Sequence, residues 1–561
     1  MSARNGIVLL LALSTLTLLV GCGSSGNAVV TPPPSGSFSA SDLNGTYVFS
    51  VSGTDAAGAA YAIVGAFTAN GKGGSNGITG GTIDITDPEE GVEPQPDLSI
   101  TGGSYSVGAD GRGQMTIATN PANIFNTPLT FDFVLSSSSH GLIVEFDDNA
   151  TGSGTIDAQA AGVTPNGTYA FSLAGATAEG SPWATVGNFT VSGQSIAGLD
   201  DLNEGGVLAY PAQTLTGSLV AGPSSSPATT LFTAAFSGLF DVYVIDATHL
   251  KFIEMDDIAS LSGDAYSQTS AAIPTANMAF TLAGATSSDI PFAAGGFMLA
   301  SGNNITGNED YNVTTSASNP AEPPPITGTY ASGGTGRYTL NFSTFVGGSD
   351  YAAYPYAISS SLQGLLLLEI DNLGVTAGAA YAQTPGATFA SAQGYALNLT
   401  GLNNGIEEET GSLEEVDDIA EFTAAVGGNC TTAFAICGII DENADPGGSE
   451  DLGAPFYDLA LADGTYAGPD TNGRYVLFAN AGNSNVSTLN GGFNLTYYAV
   501  DGTTFPFMES DTTQTATGVM VLQSPSDPSA GAARSHMLFV HPVIHSHGAA
   551  KAHGSFKKRN P

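Results

Sequence analysis

Four copies of one residue pattern divide the chain, and this repetition constrains the fold more than any other feature. Each copy opens on a segment in which aromatic or apolar residues alternate with small ones, starting at Tyr47, Tyr169, Met278 and Tyr395. Each copy closes on Glu-x-Asp, followed twelve residues after the Asp by Gln. The closing residues are Glu145, Asp147 and Gln159; Glu254, Asp256 and Gln268; Glu369, Asp371 and Gln383; and Glu509, Asp511 and Gln523. Chance does not keep such a spacing four times, so the chain is a tandem array.

The local pattern within each copy is that of β-structure. Alternation with a period of two is typical of a strand that is buried on one face. Turn signals recur roughly every 8–12 residues, as in sandwiches and barrels. The sequence therefore predicts an all-β protein of four tandem antiparallel domains. Small up-and-down barrels are favoured because closure removes exposed edges, and β-sandwiches are the alternative. We expect the domains to be arranged like beads on a string.

The predicted boundaries follow from these repeats and from the composition of the two ends. They are 1–21 for a signal peptide, 22–42 for a Pro/Ser/Gly tether, 43–160, 165–268, 275–383 and 391–523 for the four repeats, and 524–561 for a His-rich basic tail. Repeat four carries an acidic insertion.

The N-terminus has the features of an export signal. One basic residue, Arg4, precedes an apolar run that is too short to be a comfortable membrane span. The run ends in Leu19-Val20-Gly21-Cys22. This ending resembles the lipobox of bacterial lipoproteins. The resemblance covers the first 22 residues only. It implies a lipid on Cys22 and a location in the cell envelope, and Gly23 favours the outer membrane.

The charge balance excludes one class of partner. Between the signal peptide and the tail the only basic residues are Lys72, Arg112, Lys251, Arg337 and Arg474, whereas all but one of the 51 acidic residues lie there. Such a surface repels nucleic acid and anionic lipid headgroups.

The repeated Glu-x-Asp carboxylates invite a catalytic interpretation, but a structural one is favoured. An active site is seldom copied intact into four tandem units, whereas a structural device is copied with the fold. Arg112, Arg337 and Arg474 occupy one turn position in three repeats, and repeat two has Lys251 three residues before its Glu. We expect each base to pair with the Glu-x-Asp carboxylates of its own repeat.

Calcium ligation is the main alternative role for acidic side chains, because calcium prefers carboxylate and amide oxygens. Asp201 with Asn203, and Asp310 with Asn312, fall at matching places in repeats two and three. Repeat one has Asp84-Ile-Thr86 in that place. The EF-hand pattern is absent. Apart from this calcium hypothesis, the sequence predicts no cofactor.

The two remaining cysteines and the tail yield weaker expectations. Cys430 and Cys437 are expected to form a disulfide in an oxidising compartment. The tail holds five of the seven His residues. Short His-rich tracts can bind transition metals, but we expect this one to be disordered.

These observations favour a non-enzymatic, lipid-anchored envelope protein that acts as a surface spacer or interaction module, with an unknown protein or glycan as partner. The alternative is small-molecule or glycan binding within the barrels, an analogy at the level of fold. A deep apolar cavity in a barrel would favour binding, and a barrel filled by its own side chains would favour the spacer.

Overall fold

A computed structural model gives the architecture of the chain. It describes residues 38–56, 58–87, 93–125, 127–178, 180–206, 208–220, 228–232, 237–256, 258–288, 290–313, 316–318, 321–359, 362–390, 393–402, 406–416, 434–444, 456–481, 493–512 and 514–525. Apart from a 3₁₀ turn at Ala40–Asp42, the regular structure of these residues is β-strand. Among them, no helix has the length and apolarity needed to cross a membrane.

Each repeat forms eight antiparallel strands. Barrel 1 comprises β1 Asn44–Asp55, β2 Ala60–Asn70, β3 Gly74–Thr86, β4 Gln95–Tyr105, β5 Arg112–Asn120, β6 Leu129–Ser137, β7 His140–Glu145 and β8 Ala150–Ala158. Barrel 2 comprises β9 Gly167–Thr177, β10 Pro182–Ser192, β11 Ser195–Glu204, β12 Leu208–Leu219, β13 Ala228–Phe232, β14 Ser237–Val244, β15 His249–Glu254 and β16 Ala259–Ser267.

The second half of the chain repeats this order. Barrel 3 comprises β17 Met278–Thr286, β18 Pro291–Ser301, β19 Asn304–Asn312, β20 Pro325–Gly334, β21 Arg337–Phe342, β22 Asp350–Ser359, β23 Leu362–Glu369 and β24 Gly374–Ala382. Barrel 4 comprises β25 Gly394–Leu402, β26 Ile406–Val416, β27 Ala435–Ala444, β28 Phe456–Ala467, β29 Arg474–Ala481, β30 Phe493–Tyr498, β31 Thr504–Glu509 and β32 Thr515–Leu522.

All four sheets close on themselves, because the first strand of each repeat also pairs with the eighth. In barrel 1, for example, Phe49 of β1 pairs with Gly65 of β2 on one side and with Ile156 of β8 on the other. The prediction of tandem antiparallel up-and-down barrels is confirmed, and the sandwich alternative is wrong. Each of the described strands lies between two neighbours, so none of them forms an open sheet edge.

The period of two seen in the sequence separates the inside of each barrel from its outside. Tyr47, Phe49 and Val51 of β1 point into the core of barrel 1. Val48, between them, points outward and packs against barrel 2. The outward positions of the opening segments are small because another barrel lies against them, so these strands are buried on both faces.

The four barrels form a closed ring rather than beads on a string. The first strands of each barrel contact the last strands of the next one, as β2 contacts β15 and β16, β10 contacts β22 to β24, and β18 contacts β30 to β32. The same contact joins the ends of the chain, since β25 and β26 pack on β6 to β8. Repeated head-to-tail contacts of this kind close into a ring when the rotation between units permits it.

We call the four contacts seams and number them in ring order. The first joins barrels 1 and 2, the second barrels 2 and 3, the third barrels 3 and 4, and the fourth barrels 4 and 1. Barrel 4 packs directly against barrel 1, so repeat four does not lie at the far end of a string of domains.

The ring has two different faces. The turns between strands one and two, three and four, five and six, and seven and eight lie at one end of every barrel, and we call that side the hairpin face. The other turns, the connections between barrels and both ends of the described chain lie on the opposite side, the linker face. Seam contacts join like ends, since Asn203 near the hairpin end of β11 bonds to the turn after Glu369, so all four barrels point the same way.

Candidate functional site

The residues with the most distinctive chemistry lie in the seams. In the second seam, Arg337 of barrel 3 donates two hydrogen bonds to Asp201 of barrel 2, from Nε to Oδ2 and from Nη2 to Oδ1, each 2.6 Å long. The Tyr354 hydroxyl donates to the same carboxylate at 2.5 Å. Asp201 is fully buried. A planar guanidinium meeting a carboxylate in this bidentate way is the strong form of an ion pair.

The third seam repeats this arrangement with different residues. Arg474 of barrel 4 donates to Asp310 of barrel 3 through Nε at 2.7 Å and Nη2 at 2.6 Å. The Tyr498 hydroxyl donates to Asp310 at 2.8 Å. Burial and the adjacent Asp310 carboxylate raise the pKa of Tyr498 far above its usual value, so it remains a donor.

The fourth seam closes the ring with a looser version of the pair. Arg112 of barrel 1 donates from Nη1 to both carboxylate oxygens of Asp441 in barrel 4, at 3.2 Å each. Its Nε donates to Asp110 of its own barrel at 2.8 Å. Val134 occupies the position that Tyr354 holds in barrel 3, so this seam has no tyrosine donor at that place.

These contacts correct the predicted pairing of the four bases. Arg112, Arg337 and Arg474 bind an Asp of the preceding barrel in the ring, not the Glu-x-Asp carboxylates of their own repeat. Lys251 lies 3.0 Å from Asp264 and 3.6 Å from Asp157 of barrel 1, and does not pair with Glu254 or Asp256. The carboxylates that bind the three arginines across the seams belong to another repeat.

The Glu and Asp of each Glu-x-Asp have separate structural tasks. The Asp caps a turn: Asp371 accepts the amide hydrogens of Ser349, Asp350 and Leu373, at 2.6, 2.9 and 2.8 Å. Asp147, Asp256 and Asp511 accept the amides of Thr130, Leu239 and Asn494 in the same place. The Asp therefore joins the turn before strand eight to the start of strand six.

The Glu of each triplet is buried completely inside its barrel, at Glu145, Glu254, Glu369 and Glu509. In barrel 1 the Tyr61 hydroxyl donates to Glu145, and in barrel 3 Thr376 donates to Glu369 at 2.9 Å. Burial raises the pKa of Glu369 to about 9. Burial likewise raises the pKa of Glu145 and of Glu254 well above the usual range. Glu145, Glu254 and Glu369 are therefore neutral acids near pH 7.

Three asparagines join the hairpin ends of neighbouring barrels. The Asn203 amide donates to the carbonyls of Glu369 and Gly374 at 2.9 and 2.8 Å. Asn312 donates to the carbonyls of Glu509, Asp511 and Gln514. Asn443, which the sequence analysis did not single out, donates to the carbonyls of Glu145, Asp147 and Ala150. A shared Asp-x-Asn spacing was the signal that could have found it.

The calcium hypothesis for Asp201, Asn203, Asp310 and Asn312 stays a prediction. The contacts above give Asp201 and Asp310 a guanidinium each, and a bound cation would have to displace it. Among the described residues, no group of three or more His, Cys, Asp or Glu side chains is arranged to hold a metal ion.

The glutamine that closes each repeat joins the linker ends of the barrels. Gln159 donates to the Val244 carbonyl at 2.8 Å, Gln268 to Pro355 at 2.5 Å, and Gln383 to Ala499 at 2.7 Å. Gln523 returns to barrel 1 and donates to the carbonyls of Asp110 and Leu135 at 2.7 and 2.9 Å. Its fixed distance from the Glu-x-Asp is explained by the single strand, strand eight, that separates them.

Replacing Gln523 by Ala should weaken the closure of the ring. Gln523 is fully buried, so its loss leaves two carbonyls without a donor, at about 1–3 kcal/mol for each unsatisfied buried group. We expect the urea midpoint of the full chain to fall. Gln159→Ala is the matched control, because that half-buried side chain serves one carbonyl and its two barrels are also joined by the chain. Equal losses from the two variants would contradict a role for Gln523 in closure.

The first seam departs from the other three. Its Asp84 accepts a hydrogen bond from the Tyr243 hydroxyl at 2.6 Å, as Asp201 does from Tyr354. However, no Lys or Arg occurs between residues 205 and 250, so no guanidinium reaches Asp84 from strand five of barrel 2. Thr86 stands in the asparagine position, and its buried hydroxyl has no hydrogen-bond partner among the described residues.

A separate polar cluster lies on the strand-eight side of the first seam. Lys251 donates to Thr155 of barrel 1 at 2.8 Å and to Asp264 at 3.0 Å. His140 lies 2.8 Å from Asp157, and His249 lies 2.6 Å from Asp264. Burial opposes ionisation of Asp157, but its attraction to His140 and Lys251 outweighs that effect and lowers its pKa. A cavity of about 30 Å³ beside Lys251 is lined by serine and glycine, which is room for water only.

The barrel interiors are filled by side chains. Barrel 1 packs Phe49, Phe67, Phe131 and Phe133 around its axis. The clusters inside barrels 2, 3 and 4 are built in the same way from buried aromatic and aliphatic residues. A filled interior is the outcome that favours the spacer over a barrel that binds a small molecule.

Comparisons with known proteins do not place the chain in a family. No protein-family model matches it, and no curated protein matches it. Several solved structures show a distant likeness. A mutant of transferrin binding protein B from Haemophilus parasuis Hp5 is 7% identical with a TM-score of 0.18, over 68% of this chain and 83% of that one.

Two other structures of transferrin binding protein B give similar values. The protein from serogroup B Neisseria meningitidis is 10% identical with a TM-score of 0.19, over 68% of this chain and 83% of that chain. The intact Ap-TbpB, with its N and C lobes, is 8% identical with a TM-score of 0.18, over 90% and 97%. Such TM-scores do not indicate a shared overall arrangement, and these likenesses carry no argument about function.

The remaining predicted sites are only partly within the described residues. Cys437 is buried and disulfide-bonded, whereas its predicted partner Cys430 lies outside the described residues. Cys22, the tether before residue 38 and the His-rich tail also lie outside them.

Proposed function

We propose that this protein is a non-enzymatic, lipid-anchored platform of the cell envelope, whose ring holds one face toward a partner. The closure of barrel 4 onto barrel 1 carries this proposal. A closed ring of filled barrels offers a surface rather than a cavity for binding. Its buried arginine–aspartate pairs join neighbouring barrels.

The geometry of the ring gives the platform an orientation. The described chain enters at Phe38 and leaves at Pro525, and both ends lie on the linker face. A lipid on Cys22, connected through the Pro-rich tether, would therefore hold the linker face toward the membrane. The hairpin face would point away from it. A partner is then met by all four barrels at once, not by repeat four alone.

The hairpin face exposes apolar side chains in barrel 3 and acidic side chains elsewhere. The large apolar side chains Ile290, Val346 and Leu373 are exposed in the turns at the hairpin end of barrel 3. The turns of the face also carry acidic residues, such as Asp148. Mixed apolar and polar surface of this kind is typical of protein contacts that are not obligate.

Photo-crosslinking in the native host tests the proposal. Asn372 lies in a turn on the hairpin face and Asn303 in a turn on the linker face of the same barrel, and both are exposed. We expect a crosslinking residue at 372 to yield a discrete partner adduct, and one at 303 to yield none. The reverse result, or equal adducts, would contradict the orientation.

The same strains carrying Cys22→Ser provide the test of the anchor. Without the lipid we expect the protein to leave the membrane fraction and the adduct at 372 to decrease. Ser24→Ala, two residues away, is the control that leaves the lipidated position intact. A Cys22→Ser protein that remains in the membrane fraction would overturn the anchor.

A further inference from the structure

The first seam brings two carboxyl groups together without a guanidinium, whereas each of the other seams places an arginine against its acids. Asp84 of β3 is hydrogen-bonded to Asp241 of β14, which lies two residues before Tyr243, the other donor to Asp84 from that strand. Asp84 is fully buried and Asp241 nearly so. The corresponding residues in barrels 3 and 4, Ala352 and Thr496, are not ionisable, and that of barrel 1 is Asp132, which accepts a hydrogen bond from Gln114 at 2.9 Å.

Among the described residues, no Lys, Arg or His lies beside this pair. Asp97 of β4 lies beside both carboxyl groups, and its amide donates to Asp84 at 2.5 Å. Tyr243 donates from β14. Lys251 of β15 makes its contacts with Thr155, Asp157 and Asp264 elsewhere in the seam. Burial and the neighbouring Asp241 raise the pKa of Asp84 to about 7, and burial and Asp97 raise that of Asp241 to about 6.

The position of the pair determines which part of the seam it controls. Asp84 lies near the hairpin end of β3, whereas the connection between barrels 1 and 2 and the bond from Gln159 to Val244 lie at the linker end. Apolar residues also pack across this seam, among them Val48 and Val64 against Ile253 and Met255. The charge of the two acids therefore acts on the hairpin half of the seam, against this apolar contact.

We propose that the first seam is a proton-dependent joint of the ring, closed when Asp84 and Asp241 share a proton and loosened when both are ionised. Two like charges from different barrels repel strongly in a buried contact. The connection at the linker face keeps the barrels together and acts as the hinge. The other three seams flex slightly as the hairpin ends of barrels 1 and 2 move apart.

The histidines of this seam do not join the two barrels. His140 faces Asp157 within barrel 1, and His249 faces Asp264 within barrel 2. The second and third seams lack an acid pair of this kind, because Arg337 and Arg474 neutralise Asp201 and Asp310.

Distances between spin labels on the full chain test the joint. The labels are attached to introduced cysteines, and Cys22→Ser removes the N-terminal thiol that would otherwise react. Labels at Ser99 of β4 and Leu239 of β14 report on the first seam, and both sites are exposed. Labels at Thr214 of β12 and Asn341 of β21, also exposed, report on the second seam. As the pH rises from 5 to 8.5, a range that includes the raised pKa values of both acids, we expect the distance distribution to become longer and broader at the first seam only.

Asp241→Asn is the decisive variant, because the amide keeps the size of the side chain and removes one of the two charges. It should abolish the pH dependence at the first seam while leaving the distance at pH 5 unchanged. The proposal is overturned if the wild-type distance does not change with pH, if both seams change equally, or if Asp241→Asn keeps the wild-type response. The first two outcomes need no variant to fold.

Discussion

Arg337→Ala in the full chain should lower the free energy of unfolding by about 3–5 kcal/mol, the usual loss when one partner of a buried ion pair is removed. Asp201 is fully buried, and without Arg337 its remaining donors are the Tyr354 hydroxyl and the Ala212 amide. A carboxylate so placed must stay charged without a counter-ion or take up a proton. Either course destabilises the second seam, which thermal unfolding would detect.

Arg112→Ala is the matched control for this experiment. Its guanidinium lies farther from its partner, 3.2 Å from Asp441, and its side chain is 12% exposed, compared with 7% for Arg337. Its loss should therefore cost distinctly less. If Arg337→Ala changed stability no more than Arg112→Ala, the bidentate pair would not be a principal support of the ring.

The architecture of each barrel could be predicted from the sequence because its determinants are local. The alternation around Phe49 and the turn signals between strands act over a few residues, and the four copies reinforce one another. The closing Gln was recognised as a fixed feature for the same reason. Its task was not recognised, because the carbonyls that Gln523 binds belong to barrel 1, some 400 residues away in the chain.

The seams could not be predicted because each is built from two repeats. The sequence pattern predicts that Arg337 pairs with acids of its own repeat, because within a single domain those are the acids available to it. Two departures from the pattern contained the missing information. Repeat one has Thr86 where the later repeats have Asn, and repeat two lacks the Arg that the other three carry. Both departures fall in the first seam, because a seam joins strand three of one repeat to strands five and six of the next.

Buried acids in the barrels make stability depend on pH in a direction opposite to that of ordinary surface carboxylates. Burial raises the pKa of Glu369 to about 9, of Glu309 to about 8 and of Asp200 to about 7. The unfolded chain ionises these groups near pH 4, while the folded chain holds their protons. Between those limits the unfolded state binds fewer protons, so stability falls as the pH rises.

Other carboxylates set the acid limit of this behaviour. The backbone amides of Ser349 and Asp350 outweigh burial and lower the pKa of Asp371. Lys251 and His249 likewise outweigh burial and lower that of Asp264. A lowered folded pKa gives stability that is present above about pH 4 and is lost as the pH falls further. The two sets together place the maximum of stability near pH 4–5, close to the sequence pI of about 4.1.

We therefore expect the melting temperature of the full chain to decrease steadily from pH 5 to pH 9, by several degrees or more. One unit of pKa difference corresponds to about 1.4 kcal/mol, and several groups contribute.

General repulsion among the many surface acids would also lower stability at high pH, so the variant must separate the two causes. Glu369→Gln replaces a buried titratable carboxyl group by an amide, and Glu322→Gln makes the same change at an exposed site of barrel 3. If the buried acids are responsible, Glu369→Gln flattens the pH profile of the melting temperature and Glu322→Gln leaves it unchanged. Equal flattening by both variants would instead assign the effect to net charge.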